Sequence, residues 1–439
     1  MDSPNVRSNV DFFAKAPIDV TSVASEYVPY YSVNDVENES APLEIQIRGT
    51  PQNYIDLKGS FLCLKVKIVR SDKTKVNNFL NGEIKKKAAD WKDSDPKWEY
   101  PEDQITPVNM WLYSLFETME IWMNGKLMSV KTNQHYISYL KVLLGYSLEA
   151  VASRSLETAL CYMDPSPASS IIKNQLYINM MLKIEGGKSV TMTGRIFHDL
   201  FEIDKYILPN VDLKLKFYRS KNNFALWSEK KVAVSYSVVF ETFAFHCRKH
   251  VLSPSVHKYT MKTLEHNPAI YLFVNSEVKT FSIPQSSTEY VSENLFPWAQ
   301  LPHRVLIGFI NTTAYNGSDL DKNPWCFLKH DVSSIKVYVD SDGSTFKEGD
   351  LIYDSSDQIL PLQILRNALR GSFAFGRDMF ELGYMLYYYE LTSSNAVKNG
   401  SLKIDVKFSK ALTSPLTAIV FGQKNSVLSI DNTFNPTID

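Results

Sequence analysis

The sequence predicts an all-β protein built from antiparallel, two-layer sheets. Apolar and polar side chains alternate along several runs, most clearly VDLKLKFY at residues 211–218 and LKIDVKF at residues 402–408. Successive side chains leave a strand on opposite sides, so each run has one buried face and one solvated face. Tyr and Phe, at 24 residues each, add to this prediction because flat side chains pack well on a pleated surface. Runs at helical spacing are fewer and shorter.

The length predicts two such units in tandem. A chain of 439 residues is too long for one β-sandwich and suits two of roughly 200 residues each. Apolar residues make up 44% and charged residues 22%, which is ordinary for a protein that buries a sizeable core. The formal net charge of −1 provides no global basic field that would attract nucleic acid.

In the first unit, the sequence predicts strands separated by turns and by two helical segments. Asn124-Gly125 is a typical hairpin turn, and residues 136–144 carry apolar side chains at helical spacing. Residues 175–184 and 189–197 are predicted as two strands joined by a hairpin turn at Glu185–Lys188. A short helical segment follows at residues 197–208, and Pro209-Asn210 ends it. The strands are predicted at residues 43–47, 54–57, 62–68, 121–123, 126–130, 175–184, 189–197, 211–218 and 232–246.

The second unit repeats the pattern after a linker that contains Pro254 and Pro268. Pro361–Arg370 is predicted as a short helix, because proline suits a first helical turn and Gly371 suits its end. The strands are predicted at residues 269–274, 278–283, 304–310, 335–339, 380–388, 402–408 and 417–421.

One stretch resembles a known protein family. Asn210–Lys221 reads NVDLKLKFYRSK, directly after the helical segment and the proline break. This is similar to the region before the final strands of the first jelly roll in the major capsid proteins of Polinton/Maverick elements and adintovirus-like viruses. Those proteins form double jelly rolls.

Three further segments resemble the same family in the same order. Pro107–Phe116 resembles its PVN-x-x-LHSLF segment, although Tyr113 stands where the family usually has His. The helical pattern at residues 136–144 resembles a Y-x-x-Y-L-x-x-LL segment. In the second unit, Ala314–Ser318 and Asn323–Phe327 resemble an A-[FY]-NG-S segment followed by NP-[FW].

The resemblance implies two tandem antiparallel jelly rolls, at residues 42–252 and 253–424. Residues 1–41 are expected to be a flexible arm and residues 425–439 a polar tail. It also implies pseudo-hexagonal homotrimers that form an icosahedral shell around double-stranded DNA. Neighbouring capsomers, a single jelly-roll penton protein and minor capsid proteins would be the partners, with no sequence-specific binding of DNA.

Neither a secretory signal nor a membrane span is predicted. The N-terminus lacks a basic region followed by an apolar one, and the most apolar stretch, Trp111–Met123, is interrupted by Glu117 and Glu120. The four scattered cysteines, which include no C-x-x-C pair, are expected to be reduced thiols of an intracellular protein: Cys63, Cys161, Cys247 and Cys326.

We predict no catalytic, cofactor or metal site. His246 and His250 would lie roughly 13 Å apart along a strand, too far to share an ion. The stretch from Asp319 to Asn323 resembles the start of a calcium loop, but Pro324 stands where glycine is required. The Gly-Gly-Lys-Ser at residues 186–189 lacks the preceding glycine of a phosphate loop, because Leu182 occupies that position.

Two alternatives stay open. The lysines at 85–87 with Trp91, Trp98 and Tyr100 are compatible with a nucleic-acid patch. The nearby acidic residues instead favour the interpretation that residues 70–106 form a solvated loop. The function could also be that of a soluble two-domain β-sandwich of lectin or carbohydrate-binding type. A hydrolase on such a scaffold would need a cleft of paired carboxylates, and no enzyme motif is present in the sequence.

Overall fold

The computed structural model describes residues 22–78, 103–145, 156–229, 234–341, 344–352, 359–369, 376–391 and 399–439. Within these residues the protein is mostly β, as the sequence predicts. The first half contains β1 (Ser22–Tyr31), β2 (Leu43–Ile47), β3 (Asn53–Arg70), β4 (Thr106–Pro107), β5 (Phe116–Met123), β6 (Lys126–Lys131), β7 (Val190–Arg195), β8 (Leu213–Arg219), β9 (Leu226–Trp227) and β10 (Tyr236–Leu252).

The second half contains a similar series of strands. They are β11 (Ala269–Ile283), β12 (Glu289–Val291), β13 (Leu295–Gln300), β14 (Arg304–Asn311), β15 (Val332–Ser341), β16 (Ser344–Ile352), β17 (Leu386–Glu390), β18 (Asn399–Phe408), β19 (Leu416–Ile430) and β20 (Pro436–Ile438). The described α-helices are α1 (Trp111–Ser114), α2 (Gln134–Gly145), α3 (Gln175–Ile184), α4 (Pro254–Leu264), α5 (Thr312–Tyr315), α6 (Ile359–Ala368) and α7 (Arg377–Glu381).

Each half forms a pair of four-stranded antiparallel sheets, and the strand order is the same in both halves. The first half has the orders β1-β10-β3-β7 and β2-β8-β5-β6. The second half has β11-β19-β14-β17 and β12-β18-β15-β16, to which β20 and β13 add short pairings. We call β1–β10 the first roll and β11–β20 the second roll. Every strand of a four-stranded sheet in one roll therefore has a counterpart at the same place in the other.

The cores form between the two sheets of each roll, as the alternation predicts. In β8, Leu213, Leu215 and Phe217 are buried, while the lysines between them are only partly covered. Phe217 packs with the rings of Phe116 and Phe243, which come from the two different sheets of the first roll. In β18, Leu402, Ile404 and Val406 are fully buried in the second roll.

One predicted strand is a helix. Residues 175–184 form α3, and the side chain of Asn174 caps its N-terminus by accepting a hydrogen bond from the Leu176 N–H at 3.1 Å. Its buried residues, Tyr177, Met180, Met181 and Ile184, follow the i, i+3, i+4, i+7 spacing of a helix face. The predicted hairpin at Glu185–Lys188 is wrong for the same reason. Gly186 and Gly187 have positive φ and end the helix instead of joining two strands.

Both terminal segments contain strands where the sequence analysis expects none. Within the expected flexible arm, Ser22–Tyr31 forms β1 and pairs with the end of β10. Within the expected tail, β19 continues to Ile430 and β20 pairs back onto it through Leu428–Ile430. Residues 22–31, 425–430 and 436–438 are therefore strands. The arm at residues 1–41 and the tail at residues 425–439 stay predictions as units of the domain organisation. The roll boundaries at 42–252 and 253–424 stay a prediction.

The other expected elements lie close to their predicted places. The helix expected at 136–144 is α2, the helix at Pro361 is α6, and the helical segment after Phe197 is a short 3-10 helix at Asp199–Glu202. The strand expected at 380–388 is shorter than predicted, because residues 377–381 form α7 and β17 begins at Leu386. Lys85–Lys87, Trp91, Trp98, Tyr100 and Gly371 lie outside the described residues.

Candidate functional site at the junction between the two rolls

The structure separates the residues that the sequence analysis considered for metal binding. His246 and His250 both lie on β10, but His246 stacks on the Phe61 ring at 4.8 Å between centroids. His250 stacks on Tyr206 and lies 3.1 Å from the Ser22 hydroxyl. Among the described residues, no group of three His, Cys, Asp or Glu side chains could hold a metal ion.

The stretch from Asp319 to Asn323 forms a structural turn. The buried Asn323 side chain accepts from the Trp325 N–H at 3.0 Å and donates to the Pro167 carbonyl at 3.1 Å. The first contact shapes the second-roll loop, and the second holds this loop against the first roll. These are the contacts of a turn, and they leave no reason to propose a calcium loop.

The four cysteines are free thiols. Burial raises the pKa of Cys161, Cys247 and Cys326 to about 12 in each case. A thiol with so high a pKa is a poor nucleophile, because the reactive species is the thiolate. These side chains therefore contribute to packing rather than to chemistry.

The two rolls meet around a cluster of buried charges. Asp199, in the 3-10 helix before β8, lies 2.7 Å from the Lys131 ammonium and 2.6 Å from the Lys141 ammonium. The side chains of all three are almost completely buried. Lys141 also contacts Glu202 at 2.8 Å. The cluster thus belongs to the first roll, at the ends of β6, α2 and the segment before β8.

The second roll completes this cluster with its first strand. The Ser276 N–H of β11 donates to Asp199 Oδ2 at 2.9 Å, and Lys131 Nζ donates to the Ser276 carbonyl at 2.6 Å. Lys131 also contacts the side-chain oxygen of Asn275. Buried charges are stable only when paired and hydrogen-bonded, so this contact is specific to one placement of β11.

The electrostatics of the cluster follow from its pairing. Burial alone would raise the pKa of Asp199, but the adjacent Lys141 and Lys131 together lower it well below its usual range. Burial lowers the pKa of Lys141, and the carboxylates of Asp199 and Glu202 outweigh this effect and raise it. Both groups therefore stay charged at neutral pH inside the junction.

Beside the charges lies an aromatic cluster shared by both rolls. Trp325, in the loop between β14 and β15, stacks on Tyr139 of α2 with centroids 4.6 Å apart and planes 4° from parallel. Tyr136 and Phe224 of the first roll meet the same indole edge-on. The Trp325 indole N–H donates to the Asn109 carbonyl at 2.7 Å. Such aromatic contacts bury large areas and fix the geometry of an interface.

A third buried contact links the loops of the two rolls. The carboxylate of Asp164 accepts from the Tyr177 hydroxyl at 2.6 Å and from the Asn174 amide at 2.8 Å. Tyr384, just before β17, donates to the Asp164 carbonyl at 2.6 Å. Burial is the main reason that the pKa of Asp164 is raised. The carboxylate is enclosed by its partners, which is typical of a structural role.

Sequence reasoning did not identify this junction. Lys131, Asp199 and Ser276 are single residues far apart in the sequence, and no local pattern marks a charge as buried. The one signal was Asn323–Phe327, which the family resemblance selected and which contains Trp325. The contacts of these residues show a connection between rolls rather than a reaction centre.

Comparisons with known proteins agree with this architecture. No family model matches the chain. The uncharacterized protein F54H12.2 of Caenorhabditis elegans is 21% identical over 356 residues, which cover 76% of this chain and 81% of that protein. The cryo-EM structure of the Sputnik virophage contains a chain that matches with a TM-score of 0.64 and 11% identity, over 100% of this chain and 93% of its own.

Two other structures match over nearly their whole length. The PBCV-1 virus capsid has a TM-score of 0.57 at 11% identity, with 97% of this chain and 99% of that chain covered. The mavirus major capsid protein has a TM-score of 0.52 at 10% identity, with coverage of 100% and 95%. The fold is a double jelly roll. This confirms the fold class that the family resemblance implied.

The described surface also contains a cavity beside α3. Its volume is about 380 Å³, and it is lined by Glu157, Tyr162, Leu176, Asn179, Leu182 and Lys183. Among these lining residues, Tyr162 alone is aromatic. Because carbohydrate sites stack sugars on aromatic rings, this lining gives the lectin-type alternative little support. No helix in the described parts of the chain is both long and apolar enough to cross a membrane.

Proposed function

We propose that this chain is a major capsid protein that assembles as homotrimers into an icosahedral shell around double-stranded DNA. The observation that carries the proposal is the match of the whole double jelly roll to the Sputnik virophage structure, with a TM-score of 0.64 over 100% of the chain. A fold alone does not define a function. Here, however, the likeness extends over both rolls, and the PBCV-1 and mavirus matches have the same extent.

The internal repeat supports the trimer. Two rolls with the same strand order lie side by side in one chain, so three chains supply six similar wedges around an axis. Threefold symmetry then closes a block with a hexagonal outline, which is a shape that tiles a shell. The near-neutral net charge of −1 also allows such blocks to pack edge to edge without strong repulsion.

The finer assignments rest on the sequence resemblance. The four motifs support a capsid protein of Polinton/Maverick and adintovirus type as the finer assignment. A shell of this kind needs a penton protein at its fivefold vertices and minor proteins between capsomers, which we propose as partners. The four free cysteines favour synthesis in a reducing compartment before the protein enters the virion.

A purely structural role, without enzymatic activity, is part of the proposal. The buried carboxylates described above are enclosed by lysine, tyrosine and amide partners. The lectin-type alternative would predict a monomer that binds sugar.

The proposal is tested by measuring the mass and shape of the purified protein. Since one chain has a mass of 50.1 kDa, light scattering should find a trimer of about 150 kDa, or shells built from it. Negative-stain microscopy should show hexagonal blocks. A monomer at micromolar concentration that never assembles, and that binds to a glycan array, would favour the lectin-type function.

A further inference from the structure

The two rolls have equivalent edge strands, and in the described part of the chain the hydrogen bonds between an edge strand and the other roll involve β11 rather than β1. β1 and β11 occupy the same edge position in the two sheet orders. The first roll contacts the backbone of β11 at two places, through Lys131 and Asp199 at Ser276 and through Lys205 Nζ, which donates to the Ile270 carbonyl at 2.9 Å. The Ile270, Leu272 and Val274 side chains of β11 are exposed. In β1, the consecutive residues Val23–Tyr27 are exposed, and so is Tyr31 at its end.

The helices that follow β6 and β16, the last strands in their sheet orders, also differ in their exposure. In the first roll, α2 follows β6, and its residues from Gln134 to Leu143 are all buried. Trp325 of the second roll stacks on Tyr139 of this helix. In the second roll, α6 follows β16, and its buried residues are Pro361, Leu362 and Leu365. The remaining face of α6 exposes two large apolar side chains, Ile359 at 46% and Leu360 at 51%.

An unpaired edge strand and an exposed apolar helix face are both unusual on a finished surface. Within the chain, the first roll presents its α2 side to the edge strand β11 of the second roll. In the second roll, the equivalent helix α6 has Leu360 51% exposed. The first roll, in turn, has the exposed edge strand β1.

We propose that β1 of one chain docks against α6 of a second copy, and so repeats between chains the contact that β11 makes with the first roll. The inference rests on the proposed homotrimer and names the surfaces that close it. The contact is heterologous, since β1 and α6 are different surfaces, and three such contacts close a ring. The apolar side chains Val23, Tyr27 and Tyr31 would then meet Ile359 and Leu360.

The chemistry of β1 fits side-chain docking better than the addition of another strand. Pro29 has no N–H, so the outer edge of β1 cannot offer an uninterrupted row of donors to a partner strand. β11 is contacted in the same manner within the chain, by side chains of the first roll rather than by a strand. In both cases side chains, rather than an added strand, would meet the edge strand.

Cysteine cross-linking tests the contact directly. A variant with Tyr31→Cys and Leu360→Cys is treated with a short bis-maleimide and separated on a denaturing gel, beside wild-type protein that reports the native thiols. We expect covalent dimers and trimers that neither single variant gives. The matched control pairs Tyr31→Cys with Val291→Cys, because Val291 on β12 is 53% exposed and lies at the opposite edge of the second roll.

A second measurement uses charge. Leu360→Arg should raise the concentration at which trimers dissociate by about tenfold or more, whereas Val291→Arg should leave it unchanged. If wild-type protein is trimeric but the Tyr31–Leu360 pair does not cross-link, or Val291 cross-links equally well, the contact is wrong and the capsid function stands. If wild-type protein is monomeric at all concentrations, the proposed function itself fails.

Discussion

At the scale of single residues, three buried histidines predict a dependence of stability on pH. His135 lies in the first turn of α2 and packs against Phe224 and Trp325. Burial lowers its pKa to about 3, against the weaker effect of a hydrogen bond to the backbone of Phe116. Burial likewise lowers the pKa of His198 to about 3 and that of His330 to about 4.

These shifts predict that stability falls as the pH drops below the ordinary histidine pKa. The unfolded chain binds a proton at each histidine below about pH 6.5, while the folded chain leaves these three neutral until much lower pH. Each of these histidines therefore lowers the free energy of unfolding by about 1.4 kcal/mol for every unit by which the pH falls below about 6.5, down to its folded pKa. At neutral pH the penalty is absent.

His135→Gln should reduce this pH dependence, because a glutamine does not titrate. The measurement is the urea midpoint followed by tryptophan fluorescence from pH 7.5 to pH 5, and the slope against pH is the result. His266→Gln is the control, since His266 is an exposed histidine after α4. An unchanged slope in the His135 variant would contradict the prediction, whatever its absolute stability.

At the scale of elements, the alternation of buried and exposed side chains determines which residues of a strand contribute most to stability. Ile404 at the centre of β18 is fully buried, whereas Lys403 on the opposite face is partly exposed. Ile404→Ala should cost about 2–5 kcal/mol of unfolding free energy, through lost burial and the cavity that remains. Lys403→Ala should cost less than about 1 kcal/mol. Chemical denaturation measures both, and equal losses would show that the face assignment is wrong.

The strands with one clean buried face were predictable from the sequence. β2 and β8 follow the alternation almost residue by residue. β1 was missed because an exposed edge strand buries few of its side chains and so has no apolar period. The end of β19 was missed although Ser426, Leu428 and Ile430 continue the alternation and are buried.

Where the sequence predicts a strand and the structure has a helix, the physical cause is different. Residues 175–184 are apolar at both helical and strand spacing, and the following glycines suggested a hairpin. The Asn174 cap decides for the helix, because it satisfies a backbone N–H at the first turn.

The junction between the two rolls could not be predicted at all. Whether Asp199 is solvated or enclosed by two lysines depends on tertiary packing, which no local pattern encodes.

At the scale of the whole molecule, the buried charges connect the rolls. Asp199→Ala would leave the ammonium groups of Lys131 and Lys141 buried without their shared partner. The expected loss of stability is about 3–5 kcal/mol, with separate unfolding of the two rolls in a calorimetric scan. Because the folded pKa of Asp199 lies below its ordinary value, its contribution is complete above about pH 4 and is lost only as the pH falls through the folded value.

An exposed ion pair of the same chemistry provides the control. Asp204, five residues along the chain, contacts Lys58 at 2.5 Å, but its side chain is 84% exposed. Asp204→Ala should therefore shift the unfolding temperature little, because solvent screens an exposed ion pair. Equal effects of the two substitutions would contradict a structural role for the buried cluster.

The pairing of β1 with β10 also determines when the first roll can close during synthesis. The hydroxyl of Ser22 meets the ring of His250, a partner 228 residues later in the chain. At a translation rate of about 5–20 residues per second, the first strand emerges some 10–45 s before its neighbour exists. Contacts between such distant residues also form slowly. The nascent chain therefore carries unpaired strands for much of its synthesis, and a chaperone that shields them should raise the yield of folded protein.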